Sequence, residues 1–118
     1  MLFQKKNQGF TLVEIMIVVA VMAILFGIAI PNYIRYRKRA YNSSAMGDAR
    51  NAYTASQTYF NDNSSDTISS VTDLGPFGFL QTPDVTVTVG GDQPNLGITT
   101  FHDAGDKTFI FDHEGRLQ

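Results

Sequence analysis

The stretch GFTLVE, residues Gly9 to Glu14, opens an apolar run that continues to Pro31 and decides the architecture of this chain. Between Phe10 and Pro31 the only charged side chain is that of Glu14. A helix that crosses a bilayer needs about 20 predominantly apolar residues, whereas a soluble helix of that length normally shows a polar face. Because this run has no polar face, it predicts a membrane-spanning helix, with a helix buried among other helices as the second interpretation.

Glu14 is the anomaly within this run. A carboxylate inside a membrane helix costs roughly 2.5–3.5 kcal/mol on insertion scales, so the group needs a partner. No lysine or arginine lies between Lys6 and Arg35, so no basic side chain of the same helix reaches it. The partner is therefore a chain terminus, another subunit or a proton, and the alternative is a carboxyl group that stays protonated or snorkels to the interface.

Composition limits the classes of protein that this chain can belong to. Its 118 residues allow one small domain beside the long helix, and the absence of cysteine excludes disulfides and thiolate metal sites. A basic block lies at Arg35–Arg39, whereas from Tyr59 onward nine acidic residues face only Lys107 and Arg116. The exposed end is therefore expected to be acidic, and no specific nucleic-acid partner is predicted.

The apolar run continues into a longer helical pattern. We expect one helix from Phe10 to about Asn61, kinked near Pro31, because proline has no N–H to donate to the carbonyl of Gly27 and glycine is a weak helix former. Beyond the kink the pattern is amphipathic, with one face spaced by three, four or seven residues. The residues of that face are Ile34, Tyr41, Ala45, Ala49, Ala52, Ser56 and Phe60.

The C-terminal part is predicted to form a small sheet. Val85–Val89 alternates strictly and is rich in β-branched residues, and two further strands are expected at Leu96–His102 and Lys107–Asp112, separated by a hairpin turn. The predicted fold class is α+β. Its long N-terminal helix, hydrophobic in the first half and amphipathic in the second, packs against a small three-stranded antiparallel sheet.

Candidate catalytic and metal-binding residues are few. His102 and His113 lie near acidic residues, but their spacing matches no metal motif. The segment Asp62–Asp66 resembles a calcium loop superficially, yet the glycine and the distal glutamate of an EF-hand are missing. There is no Ser-His-Asp order, phosphate-binding glycine loop or catalytic carboxylate pair, so we predict no enzyme, no catalytic residue, no metal and no cofactor.

The N-terminal residues resemble a known family. A short leader with Lys5 and Lys6, then Gly9 followed by Phe10-Thr11-Leu12-Val13-Glu14 and a long apolar helix, resembles the class III signal of type IV pilins and pseudopilins. The resemblance extends from Lys5 to about Tyr36. It implies cleavage between Gly9 and Phe10 by a prepilin peptidase and N-methylation of the new amine of Phe10. It also implies that Glu14 pairs with the terminal amine of a neighbouring subunit, which makes Glu14 and Phe10 the assembly residues.

The resemblance also implies a domain organisation, partners and a location. Residues 1–9 are a cleaved leader, residues 10–34 a transmembrane and filament-core helix, and residues 35–118 the amphipathic half-helix with a small C-terminal β domain. The expected partners are further copies in a homopolymer, the peptidase that also methylates, the inner-membrane pilus assembly machinery, and inner-membrane lipid before assembly. The chain is expected first as a single-pass inner-membrane precursor and then in an extracellular filament on the bacterial surface.

The orientation and the function of the chain both leave alternatives open. The basic block at Arg35–Arg39 outweighs Lys5 and Lys6, so the positive-inside rule alone places the C-terminal part in the cytoplasm, opposite to what the resemblance implies. The expected function is a structural subunit of a type IV pilus. The alternatives are a pseudopilin of a type II secretion system and, in a different class, a membrane-tethered binding domain whose helix never leaves the bilayer.

Overall fold

The structure, a computed structural model, describes residues 9–118, and its main element is one 51-residue helix, α1, at Leu12–Asp62. The prediction of a single long helix is confirmed, with a start two residues later and an end one residue later than expected. The predicted leader lies outside the described residues except for Gly9. The chain divides into two compact units that meet between Arg35 and Tyr36, and each is described by itself.

The first unit is the apolar part of α1 up to Arg35. Its large apolar side chains are exposed all around the helix; even the least exposed, Met22, keeps 45% of its surface accessible. Gly27 and Pro31 both lie inside the helix, and a Cβ added at Gly27 meets no atom within 4 Å. The kink assigned to this pair stays a prediction.

The second unit joins the rest of α1 to a four-stranded antiparallel sheet. Two 3-10 helices, Val71–Phe77 and Gln93–Asn95, connect these elements. The strands pair in chain order, each with the next. They are β1 at Thr67–Ile68, β2 at Val85–Asp92, β3 at Gly97–His102 and β4 at Thr108–Phe111.

The strand count corrects the sequence prediction. The α+β class and the antiparallel sheet are confirmed, but the sheet has four strands and not three. The additional strand β1 has only two residues, which pair with the end of β2 through Thr67↔Asp92 and Ile68↔Gly91. Two residues are too few to show an alternation of apolar and polar side chains, so no sequence pattern indicated this strand.

Small residues on α1 allow the sheet to pack closely on the second half of the helix. Ala45, Ala49 and Ala52 of the predicted apolar face are fully buried, whereas Ile34 at the start of that face is half exposed. On the sheet, Val85, Val87 and Val89 alternate inward with exposed threonines. The buried Thr100 hydroxyl of β3 donates to the Ala45 carbonyl at 2.8 Å, which ties the sheet to the helix.

Candidate functional site

The first candidate site is the exposed N-terminal end of α1. Gly9 and Phe10 precede the helix, and Phe10 keeps 84% of its side-chain surface accessible. Thr11 follows them, and Glu14 lies in the first turn of α1. The predicted cleavage, methylation and assembly residues therefore share one short, accessible segment, where a processing enzyme can reach the Gly9–Phe10 peptide bond.

Glu14 has a partner that the sequence prediction overlooked. The Thr11 N–H donates to Glu14 Oε2 at 3.1 Å, and the Glu14 N–H donates to Thr11 Oγ1 at 3.2 Å. These reciprocal bonds form a capping box, in which a threonine and a glutamate three residues later satisfy two free N–H groups at the start of a helix. The spacing Thr-x-x-Glu, visible in the sequence, is the signal that indicates this cap.

The cap explains why a carboxylate is tolerated here within one subunit. The N-terminal end of a helix carries partial positive charge, which favours an anion in its first turn. The capping bond uses Glu14 Oε2, and a carboxylate has a second oxygen with lone pairs of its own. Glu14 is therefore held in a fixed position while Oε1 remains an acceptor for a further donor.

The second candidate feature is the apolar surface that follows Glu14. In the described part of the chain, α1 is the one helix long and apolar enough to cross a membrane, and none of its apolar window is buried within the subunit. Exposed apolar patches larger than a few hundred Å² are rare on soluble monomers and mark surfaces covered by lipid or by protein. This half of α1 therefore requires an apolar environment that one copy does not supply.

The histidines take structural positions. His102 is buried, stacks on Tyr41 with ring centroids 4.4 Å apart, and accepts the Ala104 N–H at Nδ1 over 2.9 Å. His113 is exposed beside Glu114, with Nε2 3.9 Å from the carboxylate. Across residues 9–118, no group of three or more His, Cys, Asp or Glu side chains is placed to hold a metal ion.

Three carboxylates of the domain organise its turns. Asp66 accepts the Thr67 N–H at 2.8 Å and the Tyr59 hydroxyl at 2.8 Å, and these bonds lower its pKa. The Asn42 amide donates to Asp106 at 2.7 Å and lowers the pKa of that group, with help from nearby lysines.

Asp112 accepts backbone hydrogen bonds in the final turn of the chain. It accepts the N–H groups of Arg116 and Glu114 at 2.9 and 3.0 Å, and these bonds are the main causes of its lowered pKa. In the segment Asp62–Asp66, considered above as a calcium loop, the carboxylate of Asp66 already accepts hydrogen bonds from Tyr59 and Thr67. These carboxylates act as structural acceptors.

Comparison with known proteins supports the interpretation of the N-terminal segment. A family model described as "Prokaryotic N-terminal methylation motif" matches residues 4–30. The "Type IV major pilin protein PilA" of Myxococcus xanthus is 45% identical over 60 residues, which are 51% of this chain and 27% of the relative. The "Type IV wide pilus major component PilA4" of Thermus thermophilus is 37% identical over 86 residues, 72% of this chain and 65% of the relative.

A third relative matches a shorter part of this chain. The "Type IV major fimbrial protein FimA" of Dichelobacter nodosus is 46% identical over 52 residues, 44% of this chain and 33% of the relative. The matches to these three relatives thus cover between about a quarter and two thirds of the relatives' own lengths.

Proposed function

We propose that this chain is a type IV pilin, a structural subunit of a type IV pilus that polymerises through its apolar N-terminal helix. The observation that carries the proposal is the exposed apolar half of α1, most of which lies within the matched methylation motif at residues 4–30. Relatives named as major pilins and fimbrial proteins favour a pilus over the secretion pseudopilus. They also favour a structural role over a catalytic one.

The first step we propose is processing at Gly9. Cleavage of the Gly9–Phe10 bond leaves a new amine on Phe10, and methylation of that amine follows. Glycine at this position suits a peptidase site because the missing side chain lets the backbone approach closely. The exposure of Phe10 supports this role, and among the described residues no atom beyond the chain neighbours lies within 4 Å of a Cβ added at Gly9.

The second step is transfer of the helix from lipid to filament. In the inner membrane the apolar half of α1 is covered by lipid tails, and in the filament it is covered by the same helices of other copies. Both surroundings are apolar, so the transfer does not expose the helix to water. Packing and polar contacts between helices then decide which arrangement forms.

Glu14 supplies the specificity of that arrangement in our proposal. The capping box holds the carboxylate through Oε2, and Oε1 is available to accept the Phe10 amine of a neighbouring subunit. A charged pair in an apolar core is stable only when both members are correctly placed, because a lone charge there costs several kcal/mol. Subunits in a wrong register are therefore rejected.

The proposal is tested by replacing Gly9 with a bulky residue. In Gly9→Val the chain should stay at full length in the membrane fraction, and sheared material should contain no filaments. Gly47→Val is the matched control, since Gly47 lies in α1 far from the motif and a Cβ there also meets no atom within 4 Å. Mass spectrometry should find the control shortened to Phe10. Wild-type amounts of filament from Gly9→Val would refute the proposed role.

A further inference from the structure

The second unit carries its charges in separate places. Three basic residues, Arg37, Lys38 and Arg39, lie at its start on α1, whereas no lysine or arginine occurs from Asn51 to Asp106. Arg39 and Asp62 are 23 positions apart on the same helix, about 35 Å at a rise of 1.5 Å per residue. The domain is therefore basic near the start of its helix and acidic near the end.

A pocket of about 370 Å³ lies in the basic region, between α1 and the β3–β4 hairpin. Two cationic side chains line it above a partly apolar floor. The residues that line it are Arg39, Asn42, Ser43, Met46, Lys107 and Phe109.

Asn42 fixes the geometry of this pocket. Its amide donates to Asp106 Oδ1 at 2.7 Å, and its Oδ1 accepts the N–H groups of Asp106 and Lys107, both at 3.2 Å. Because Asn42 is buried and bonded to three groups of the hairpin, the backbone of Lys107 is held next to α1. The pocket is therefore pre-formed, which reduces the entropy lost when a ligand binds.

The two cations of the pocket have no close carboxylate partner. Within the described part of the chain, neither Arg39 nor Lys107 has a carboxylate oxygen within 4 Å. The guanidinium of Arg39 lies 5.9 Å from the ring centre of Tyr36. The nearby Asp106 carboxylate interacts with Lys107 but takes its hydrogen bond from Asn42. Two exposed cations around a partly apolar floor favour an acidic ligand.

An acidic, exposed segment lies at the other end of the helix. Every residue from Asn61 to Thr67 is exposed, and Asp62 is the last residue of α1. Asp66 is bonded to Tyr59 and Thr67, so its position is fixed. Asp92 pairs opposite Thr67 and adds negative charge to this end of the sheet. We call Asp62–Asp66 the acidic turn.

We propose that the pocket around Arg39 and Lys107 binds the acidic turn of a second copy of this chain, with Asp62 as the entering carboxylate. The inference rests on the proposed function, since a filament repeats one contact between unlike surfaces of identical subunits. A copy shifted along the helix direction by about the Arg39–Asp62 separation brings the acidic turn to the pocket. Opposite charges at the two surfaces fix the direction of the shift and disfavour like ends meeting.

Cysteine cross-linking tests this contact directly, because the natural chain contains no cysteine. Lys107→Cys and Asp62→Cys subunits are expressed together as a minority beside wild-type subunits, so that filament formation does not depend on them. Filaments are sheared, checked by electron microscopy, and treated with a short bis-maleimide. We expect a dimer band when both variants are present, and none when either is expressed alone. Lys107→Cys with Asp103→Cys is the control pair, and it should give no dimer.

The outcomes separate this inference from the proposed function. Filaments that contain both variants but give no dimer would overturn the contact and leave the pilus subunit intact. The same holds if Lys107→Cys cross-links only to a different protein. Absence of filaments from wild-type cells would instead refute the proposed function.

A charge exchange provides a second test. Lys107→Asp alone and Asp62→Lys alone should each reduce filament yield and make it less sensitive to salt. The double variant should restore yield, because it rebuilds the pair with its charges reversed. Arg116→Asp is the matched control for Lys107→Asp, since its side chain is exposed and pairs with Glu114 of its own chain at 3.0 Å. No rescue by the double variant, or an equal loss in the control, would contradict the contact.

Discussion

At the scale of single residues, Glu14 has two roles that a substitution can distinguish. Within its own helix it completes a capping box with Thr11, and glutamate and glutamine both serve at that position. Between subunits, the negative charge of Glu14 is proposed to lie opposite the amine of a neighbouring copy. A glutamine side chain has no such charge. Glu14→Gln therefore preserves the capping box and removes the charge opposite the neighbouring amine.

We expect Glu14→Gln to be processed and inserted into the membrane but to be missing from sheared filaments. The neighbour's amine would be left without a counter-charge in an apolar core, at a cost of about 3–5 kcal/mol for each subunit. Glu14→Leu should behave in the same way. The measurement is the amount of mature subunit in the membrane and sheared fractions, determined by immunoblot.

Thr11→Ala is the control for the capping role. It removes the hydroxyl that accepts the Glu14 N–H and should cost about 1 kcal/mol of helix stability, while filaments still form. If Glu14→Gln assembles normally and Thr11→Ala does not, the cap is what assembly requires, and the proposed intersubunit pair is wrong.

The lowered pKa values of Asp66, Asp106 and Asp112 predict acid sensitivity of the domain. A carboxyl group whose folded pKa is depressed contributes stability that is fully present above its unfolded pKa, near 4, and is lost as pH falls through the folded pKa. We therefore expect the unfolding midpoint in urea to fall as pH drops below about 4.

The acid prediction has a matched pair of variants. Asp112→Asn should lower stability at neutral pH and weaken its pH dependence, because the amide cannot be charged. Asp103→Asn is the matched control, since the Asp103 side chain is exposed and the substitution removes none of the described side-chain hydrogen bonds. The measurement is urea unfolding of detergent-solubilised subunit at several pH values. Equal slopes for Asp112→Asn and wild type would contradict the assignment.

At the scale of elements, α1 contains two residues that weaken it in its apolar half. Proline inside a helix costs about 3 kcal/mol and glycine about 1 kcal/mol relative to alanine. Apart from the neighbouring helix backbone, a Cβ at Gly27 meets no atom of the described residues within 4 Å, so Gly27→Ala causes no clash with them. Pro31 lies four residues later and has no N–H for the Gly27 carbonyl.

We expect the double substitution of Gly27→Ala and Pro31→Ala to stiffen α1. Filaments should become fewer or should extend less under force, because the segment that is easiest to unwind has been strengthened. Single-filament force–extension measurements test this, with Ala29→Val, a substitution inside the same segment, as the control. An unchanged force–extension curve in the double variant would contradict a functional hinge.

Elements with a period were predictable, and contacts between distant residues were not. The long apolar run predicted the first half of α1, and the alternation at Val85–Val89 predicted β2, because each pattern lies within one element. Strand β1 was missed because it has two residues. Buried polar ties such as Asp48 to Thr82, 34 positions apart, were also missed, because no local pattern records which distant N–H a carboxylate accepts.

The N-terminal site was partly predictable from the sequence. The motif located Gly9, Phe10 and Glu14, whereas the capping bonds were overlooked although Thr-x-x-Glu was readable. The pocket at Arg39 and Lys107 could not be predicted from the sequence, because it depends on a hydrogen bond from Asn42 to Asp106, 64 positions away.

At the scale of the whole molecule, the chain combines a unit that buries its own apolar core with a unit whose apolar surface must be covered by other molecules. The second unit buries its own core, with Leu74, Ile98 and Phe60 almost fully inaccessible. The apolar half of α1 buries nothing within the subunit. A chain of this kind is complete only when lipid or other copies cover its helix, and this requirement underlies the proposed passage from membrane to filament.

The proposed function makes the mature chain, beginning at Phe10, the repeating subunit of an extracellular filament. Its most direct test is the N-terminus of the protein in sheared filaments, determined by mass spectrometry after electron microscopy has confirmed the filaments. We expect a chain that starts at Phe10 and carries one methyl group on its amine. A sheared fraction without this chain, while the chain stays at full length in the membrane, would contradict it.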